Sequence, residues 1–534
     1  MTTETLSDEL LPDEPVTLPA LLAARRRHQS AVACMVHDDD VLTYAELDER
    51  SRALSRRLVA GGVGKGHRVA LLMANGIDWA VTSMAIMRIG ATLVPLSTLL
   101  RPPEVEAQLR MSGASALIAQ PEYRGRRYLD ELDAHIPAVL ATLAAGTRPT
   151  RLPNLRRVWS ADDLPEGSAP AELVAVLEQS VRPADDLVVM FTSGSRSTPK
   201  GVVHTHGGAI RATAAGLPVR CIGAGDRLYI PMPFFWMGGF GGGLLSVLVA
   251  GATLLTETDP TPASTIRLLE RERATLFRGW PDQAVRIASD PTFADADLSS
   301  LKAGSLDAVL PATLRAAPGA RANLFGMTET FGPYAGSRLD TDLPTSARGS
   351  CGRPFADVEV RIADPESGRA VPTGDQGVIE LRGPNLMRGI CGRTREDTFL
   401  ADGYYSTGDL GSVDDDGYLF YAGRADDMFK VSGATVYPTE VEASLRSIDF
   451  VRQAYVTNVE GSDGEAAVGA VVVVGEDRTA AEVDAAARQA MSSFKVPRSW
   501  VLVPSAERVP MLATGKVDKA GLQALITAEG QPVR

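Results

Sequence analysis

The segment Phe191 to Gly201, FTSGSRSTPKG, constrains this chain more than any other. It follows the apolar run Leu187, Val188, Val189 and Met190, which reads as a strand, and precedes Val202 to Ala215, which reads as a helix. A strand, a loop of small residues and a helix make a cradle for phosphate. Gly194 and the short hydroxyl residues let backbone N–H groups approach an anion, and Lys200 adds a point charge at the start of the expected helix. The loop lacks the Gly-Lys-Ser/Thr ending of a Walker loop, since Pro199, Lys200 and Gly201 close it. A kinase or GTPase of that type is therefore disfavoured.

A chain of 534 residues exceeds what one core supports and predicts two or three domains. Apolar residues make up 45%, as in globular proteins, and the net charge of −12 argues against a broad nucleic-acid or anionic-membrane surface. The acidic beginning, MTTETLSDELLPDEP, lacks the basic and apolar regions of a signal peptide. The longest apolar stretch, Leu244 to Leu255, falls short of the roughly 20 residues a bilayer span needs. Cys34, Cys221, Cys351 and Cys391 show no paired spacing, so neither a disulfide framework nor a thiolate metal site is indicated, and a cytoplasmic location is expected.

After a loose acidic arm the pattern alternates helix and strand up to Pro95, whereas residues from about 120 to 180, rich in Ala, Pro and Arg, carry no such signal. LTYAELDERSRALSRRLVAGG reads as a helix stopped by Gly61 and Gly62, Arg68 to Met73 as a buried strand, Asp78 to Arg88 as a helix ended by Gly90, and Ala91 to Pro95 as a second strand. Residues 180 to 420 supply the rest of a large α/β body, with FFWMGGFGGG leading into an apolar helix. Near the carboxy terminus Gln453 to Asn458, Ala467 to Val474 and Ser499 to Val503 read as strands, and Thr479 to Met491 as a helix.

Four further segments follow the loop in order: NLFGMTET at Asn323 to Thr330, YSTGDL at Tyr405 to Leu410, YAGRADDMFKVSGATVYPTEVE at Tyr421 to Glu442, and TGKVDK at Thr514 to Lys519. With the loop they resemble the acyl-adenylate-forming superfamily of acyl-CoA synthetases, peptide-synthetase adenylation domains and firefly luciferases, and look most like acyl-CoA ligases. The resemblance implies an α/β fold: a large multi-sheet amino-terminal body with a small mobile α+β carboxy-terminal lid. Residues 1–424 would bind ATP and the acid, and 425–534 would carry the catalytic lysine. The implied reaction is ATP- and Mg²⁺-dependent adenylation of a carboxylic acid, followed by acyl transfer to coenzyme A. Neither a nucleic-acid partner nor a membrane span is implied.

The same resemblance carries residue roles. Lys516 would lie against the substrate carboxylate and the α-phosphate, where an ammonium screens their repulsion. Glu329 would hold Mg²⁺ and Thr328 would lie on phosphate or carboxylate. Thr192, Ser193, Gly194, Ser195, Thr198 and Lys200 would cradle the phosphates. Phe325 would stack on adenine, with Gly304 and Ser305 along its edge. Asp409 would accept the ribose hydroxyls and Arg424 would add a second contact to ribose or phosphate. Asp426 would be the hinge, with Lys430 and Gly433 on the face that admits the pantetheine arm. Trp236, where many relatives carry His, and Gly238 would border the acid pocket.

Other outcomes stay open. The activated acid could pass to an amine, as in amide synthetases and ATP-dependent diazotases of the superfamily. Arg196 and Ser197, where the family loop commonly has Thr and Gly, raise a low-activity nucleotide-binding relative. His204 and His206 have the spacing of metal ligands on a strand, but without a third ligand nearby they read as structural.

Overall fold

The computed structural model describes residues 16–192, 199–322, 324–425, 427, 429–431, 434–460, 466–475, 478–493, 495–512 and 516–532. The chain forms two compact units, Met1–Glu359 with Arg382–Tyr405, and Val360–Leu381 with Ser406–Arg534. Their extents differ from a division at 424/425. The strand Leu419–Arg424 pairs with Tyr405–Val413, and Thr439 on the helix Pro438–Arg446 donates its hydroxyl to the Ala422 carbonyl at 2.6 Å.

In the first unit a seven-stranded sheet runs in the order Gly389–Ile390, Lys200–Thr205, Asp186–Thr192, Thr92–Pro95, Arg68–Leu72, Ala116–Ala119, Arg157–Ser160. Arg68–Leu72 and Thr92–Pro95 pair in parallel and are almost wholly buried, as their continuous apolar runs require. The helix Tyr44–Ala60 starts at a capping box of Thr43 with Glu46 and ends at Gly61. The helix Ile77–Arg88 is buried on almost every side. It closes on Arg88, whose guanidinium meets Asp48 at 2.7 Å and Glu178 at 2.6 Å. Burial alone would raise the Asp48 carboxyl, yet Arg88, Arg26 and Arg52 hold it below the usual range. Removing one partner of such a pair strands the other charge and costs about 3–5 kcal/mol.

A five-stranded sheet runs Leu276–Phe277, Arg227–Tyr229, Thr253–Thr256, Ala33–His37, Asp40–Thr43, and a three-stranded one Phe325–Met327, Gly332–Gly336, Arg353–Pro354. FFWMGGFGGG does lead into an apolar helix, through a helical turn at Met237–Gly239 and a widened turn at Phe240–Leu245, ending at Ala250. Gly239 is required there, because a Cβ would strike the Pro233 carbonyl. No described helix is long and apolar enough to cross a membrane.

The second unit holds a four-stranded sheet of Glu359–Ala363, Gly377–Arg382, Tyr405–Val413 and Leu419–Arg424, a pair Phe429–Val431 and Ala434–Val436, and a four-stranded sheet of Val451–Glu460, Ala466–Val474, Ser499–Val503 and Gln531–Pro532. The helices Pro438–Arg446 and Ala480–Ala490 bury Val441, Leu445, Val483 and Ala487 in one core with Val456, Val472 and Trp500. The expected strands and helix of this region are present, each within two residues or so at its ends; GSDG lies outside the described residues.

Candidate active site

The segment expected to cradle phosphate departs from the strand–loop–helix expectation. Lys200–Thr205 is a strand paired antiparallel with Asp186–Thr192, and the helix runs His206–Arg220, not Val202 to Ala215. The β-branched pair Val202 and Val203 favours extended backbone, and Thr205 is the true N-cap, accepting from the Gly208 N–H at 3.1 Å. Lys200 thus lies at a strand start opposite Thr192, not at a helix terminus, and both are half-buried. The register fixes the two ends of the loop. Ser193, Gly194, Ser195, Arg196, Ser197 and Thr198 lie outside the described residues.

Thr328, Glu329 and Thr330 form one tight turn between the antiparallel strands Phe325–Met327 and Gly332–Gly336. Three contacts from distant segments hold it: His204 Nε2 donates to the Thr328 carbonyl at 2.7 Å, the Met387 N–H to the Glu329 carbonyl at 2.8 Å, and the Tyr405 hydroxyl to Glu329 Oε1 at 3.3 Å. Glu329 is only 6% exposed, and among the described residues no cation pairs with it. A buried carboxylate supplied with one hydroxyl donor suits a hard divalent ion whose remaining oxygens come from phosphate and water. Thr330 spends its hydroxyl on the Met327 and Gly332 carbonyls and serves the turn.

Phe325 is half-buried, its ring tilted against Tyr334 with centroids 5.4 Å apart. Gly304 has φ +90°, and a Cβ there would come within 3.1 Å of the Leu339 backbone. Ser305 accepts the Phe277 N–H on its Oγ at 3.1 Å, which ties this turn to the strand Leu276–Phe277. Trp236 is half-buried and meets Phe235 edge-on at 5.4 Å. Met232 Sδ occupies the space that a Cβ on Gly238 would need.

In the second unit Asp409 and Arg424 stand opposite each other across paired strands. Arg424 Nη1 donates to Asp409 Oδ1 at 3.0 Å and to the Thr407 carbonyl at 2.9 Å, so the arginine orients the carboxylate. Gly408, at φ +73°, leaves room for this: a Cβ there would sit 2.9 Å from Arg424 Nη2. Lys516 is exposed, its carbonyl accepting from the Leu512 N–H at 2.7 Å beside a bridge between Met511 and Val517. Lys430 lies in the strand Phe429–Val431 opposite Thr435. Asp426 and Gly433 lie outside the described residues.

His204 and His206 are fully buried, and no metal-binding group of His, Cys, Asp or Glu occurs among the described residues. His206 Nδ1 accepts the Leu18 N–H at 3.2 Å. Burial pushes both imidazoles down to about 4, so they are neutral at pH 7. The unfolded imidazoles protonate near 6.5, so between these values the unfolded chain binds more protons. Their contribution is complete above about pH 6.5 and is lost as pH falls toward about 4, up to roughly 3 kcal/mol each. The drop in melting temperature between about pH 7 and pH 5 should shrink in His206→Asn; an unchanged drop would assign the loss to other groups.

The multi-sheet α/β architecture with a small carboxy-terminal α+β region matches solved structures of adenylate-forming enzymes. The solved structure of an amide bond synthetase from Marinactinospora thermotolerans superposes with a TM-score of 0.77 at 25% identity, over 95% of this chain and 99% of the other. The model of the AMP-binding enzyme family matches residues 22–391, and that of the AMP-binding enzyme C-terminal domain residues 440–516. The chain belongs to the AMP-binding enzyme family. It is 33% identical, over 95% of its length and 99% of the relative's, to a methyl-dioxo-octahydroindenyl-propanoyl:CoA ligase of Mycobacterium tuberculosis. It is 34% identical to a feruloyl-CoA synthase of an Amycolatopsis species, over 94% of this chain and 96% of the relative.

Proposed function

We propose that this protein is an AMP-forming acid–CoA ligase, using ATP, Mg²⁺ and coenzyme A. In the first half-reaction a carboxylate oxygen attacks the α-phosphorus of ATP, the bond to the β-phosphate oxygen breaks, and pyrophosphate leaves. In the second the CoA sulfur, having given its proton to solvent, attacks the acyl carbon and AMP departs with the bonding electron pair. The observation that carries the reading is the buried Glu329, without a cationic partner among the described residues, in a turn secured by His204 and Tyr405. Glu329 would hold the metal and Thr328 would lie on phosphate or carboxylate; the metal supplies charge screening on the phosphate oxygens.

Thr192 and Lys200 would anchor the phosphate cradle of Ser193, Gly194, Ser195 and Thr198. Phe325, Gly304 and Ser305 would receive adenine, while Asp409, oriented by Arg424, would take the ribose hydroxyls. Lys516 would screen the meeting of carboxylate and α-phosphate. Asp426 would be the hinge of a carboxy-terminal part beginning near residue 425, and Lys430 and Gly433 would serve the CoA step. Trp236 and Gly238 would border the acid. A cytoplasmic site of action is part of this proposal. The amine-acceptor reading is not favoured, because the relatives at 33% and 34% identity are named as a CoA ligase and a CoA synthase.

The test incubates the protein with Mg²⁺, ATP and a panel of acids, following AMP, pyrophosphate and acyl-CoA with and without CoA. CoA-dependent AMP formation matched by acyl-CoA is expected. Pyrophosphate release indifferent to CoA and raised by an amine would overturn the acceptor assignment.

A further inference from the structure

Two arginines in the first unit, Arg278 and Arg220, hydrogen-bond through their side chains only to backbone oxygens among the described residues. Arg278 follows the strand Leu276–Phe277, and Arg220 ends the helix His206–Arg220. Arg278 donates through Nη1 to the Gly304 carbonyl and through Nη2 to the Arg220 carbonyl at 2.7 Å. Arg220 donates to the carbonyls of Gly216 at 3.2 Å, Gly242 at 3.2 Å and Thr213 at 3.3 Å. Every acceptor is a neutral backbone oxygen. The Asp226 carboxylate is already taken by Lys302 at 2.6 Å, and that of Asp340 by Arg338 at 2.6 Å. Among the described residues neither guanidinium has an ion-pair partner.

Their donors are also not exhausted. Arg278 as a residue is half-buried, yet its Nε is sealed from solvent and has no hydrogen-bond partner. The Gln283 amide oxygen is likewise buried and unpartnered, 3.0 Å from where a Cβ on Gly279, the residue after Arg278, would be. Turned over, that amide offers N–H instead. Two orphaned polar atoms, on Arg278 and Gln283, and two guanidiniums that Asp226 and Asp340 reach at most through space and not as ion pairs fit an anion, since a charge taken from water is tolerated when paired and hydrogen-bonded. Desolvation, with the repulsion of the two guanidiniums, lowers Arg220 to about 10, and burial lowers Arg278 to about 10, so both remain charged at pH 7. Their location narrows the source of the anion. Arg220 is tied to Gly242, in the Gly-rich segment that also holds Trp236 and Gly238, and Arg278 to the Gly304–Ser305 turn.

We infer that Arg278, backed by Arg220 and Gln283, receives a second anionic oxygen group of the acid, remote from the carboxylate that is activated. The substrate class is then a dicarboxylic acid or an acid with an equivalent anionic end. This rests on the acid-ligase reading above.

The test compares matched pairs, hexanoate with adipate and benzoate with isophthalate, by acid-dependent ATP–pyrophosphate exchange in wild type, Arg278→Lys and Arg278→Met. Wild type should prefer the diacid by about 30-fold or more in kcat/KM, Arg278→Met by less than about threefold, with the KM for ATP little changed. Arg278→Lys keeps the charge without the fork and should fall between, and its melting temperature reports whether the fold survives. A wild-type preference for the monoacid overturns the inference, as does a diacid preference that survives in Arg278→Met, or an effect confined to the KM for ATP. Exchange with no acid at all would tell against the ligase reading. Calorimetric titration with adipate then decides: saturable binding lost in Arg278→Met upholds the anion site, and absence of binding overturns it.

Discussion

Lys516→Ala is expected to lower acid-dependent ATP–pyrophosphate exchange by about a hundred- to a thousand-fold, the scale on which a single preorganised charge acts at a developing anionic centre. Only the adenylation step brings a carboxylate against a phosphate, so only that step needs an ammonium between two anions. Transfer to CoA from a supplied acyl adenylate should therefore stay within about threefold of wild type. The substitution is clean structurally, because Lys516 is exposed and contributes its backbone carbonyl, not its side chain, to the contact with Leu512. Equal loss in both half-reactions, or a fall in melting temperature large enough to explain the loss, would remove Lys516 from the catalytic assignment. Lys516→Arg should recover little, since a planar fork does not replace a compact point charge.

Much of the fold was legible because its signals are local. Arg68–Leu72 and Thr92–Pro95 are continuous apolar runs, and Tyr44–Ala60 carries both its capping box and its stopping glycine. The helix expected from Val202 failed for a reason also visible locally. The β-branched pair Val202 and Val203 favours extended backbone, and Thr205, whose side chain accepts from the Gly208 N–H, marks the helix start. The GMTE and STGD segments are local in the same sense, each lying on one turn or strand.

What secures those motifs was not legible. His204 reaches Thr328 across 124 residues of sequence, and Tyr405 reaches Glu329 across 76. No spacing announces such a pairing, and His204 read only as a structural histidine. Arg278 lay in a stretch with no motif. Its significance comes from the two backbone oxygens it joins and from the lack of an ion-pair partner among the described residues, and both are facts of packing.

Glu329→Gln should raise the Mg²⁺ concentration needed for half-maximal pyrophosphate release by about tenfold or more and lower the saturated rate by about a hundredfold. The amide keeps the shape and still accepts the Tyr405 hydroxyl, so the turn should hold. What it loses is the negative charge. The contrast with Tyr405→Phe separates the two roles of the site: that change removes the hydroxyl bonded to Glu329 Oε1 and leaves the carboxylate, so its effect should be modest, within about tenfold, and should leave the Mg²⁺ dependence nearly intact. A Glu329→Gln protein with wild-type Mg²⁺ dependence would make Glu329 a structural carboxylate. Its buried charge would then need a cationic partner outside the described residues, because neither His204, which is neutral, nor Tyr405 can compensate it.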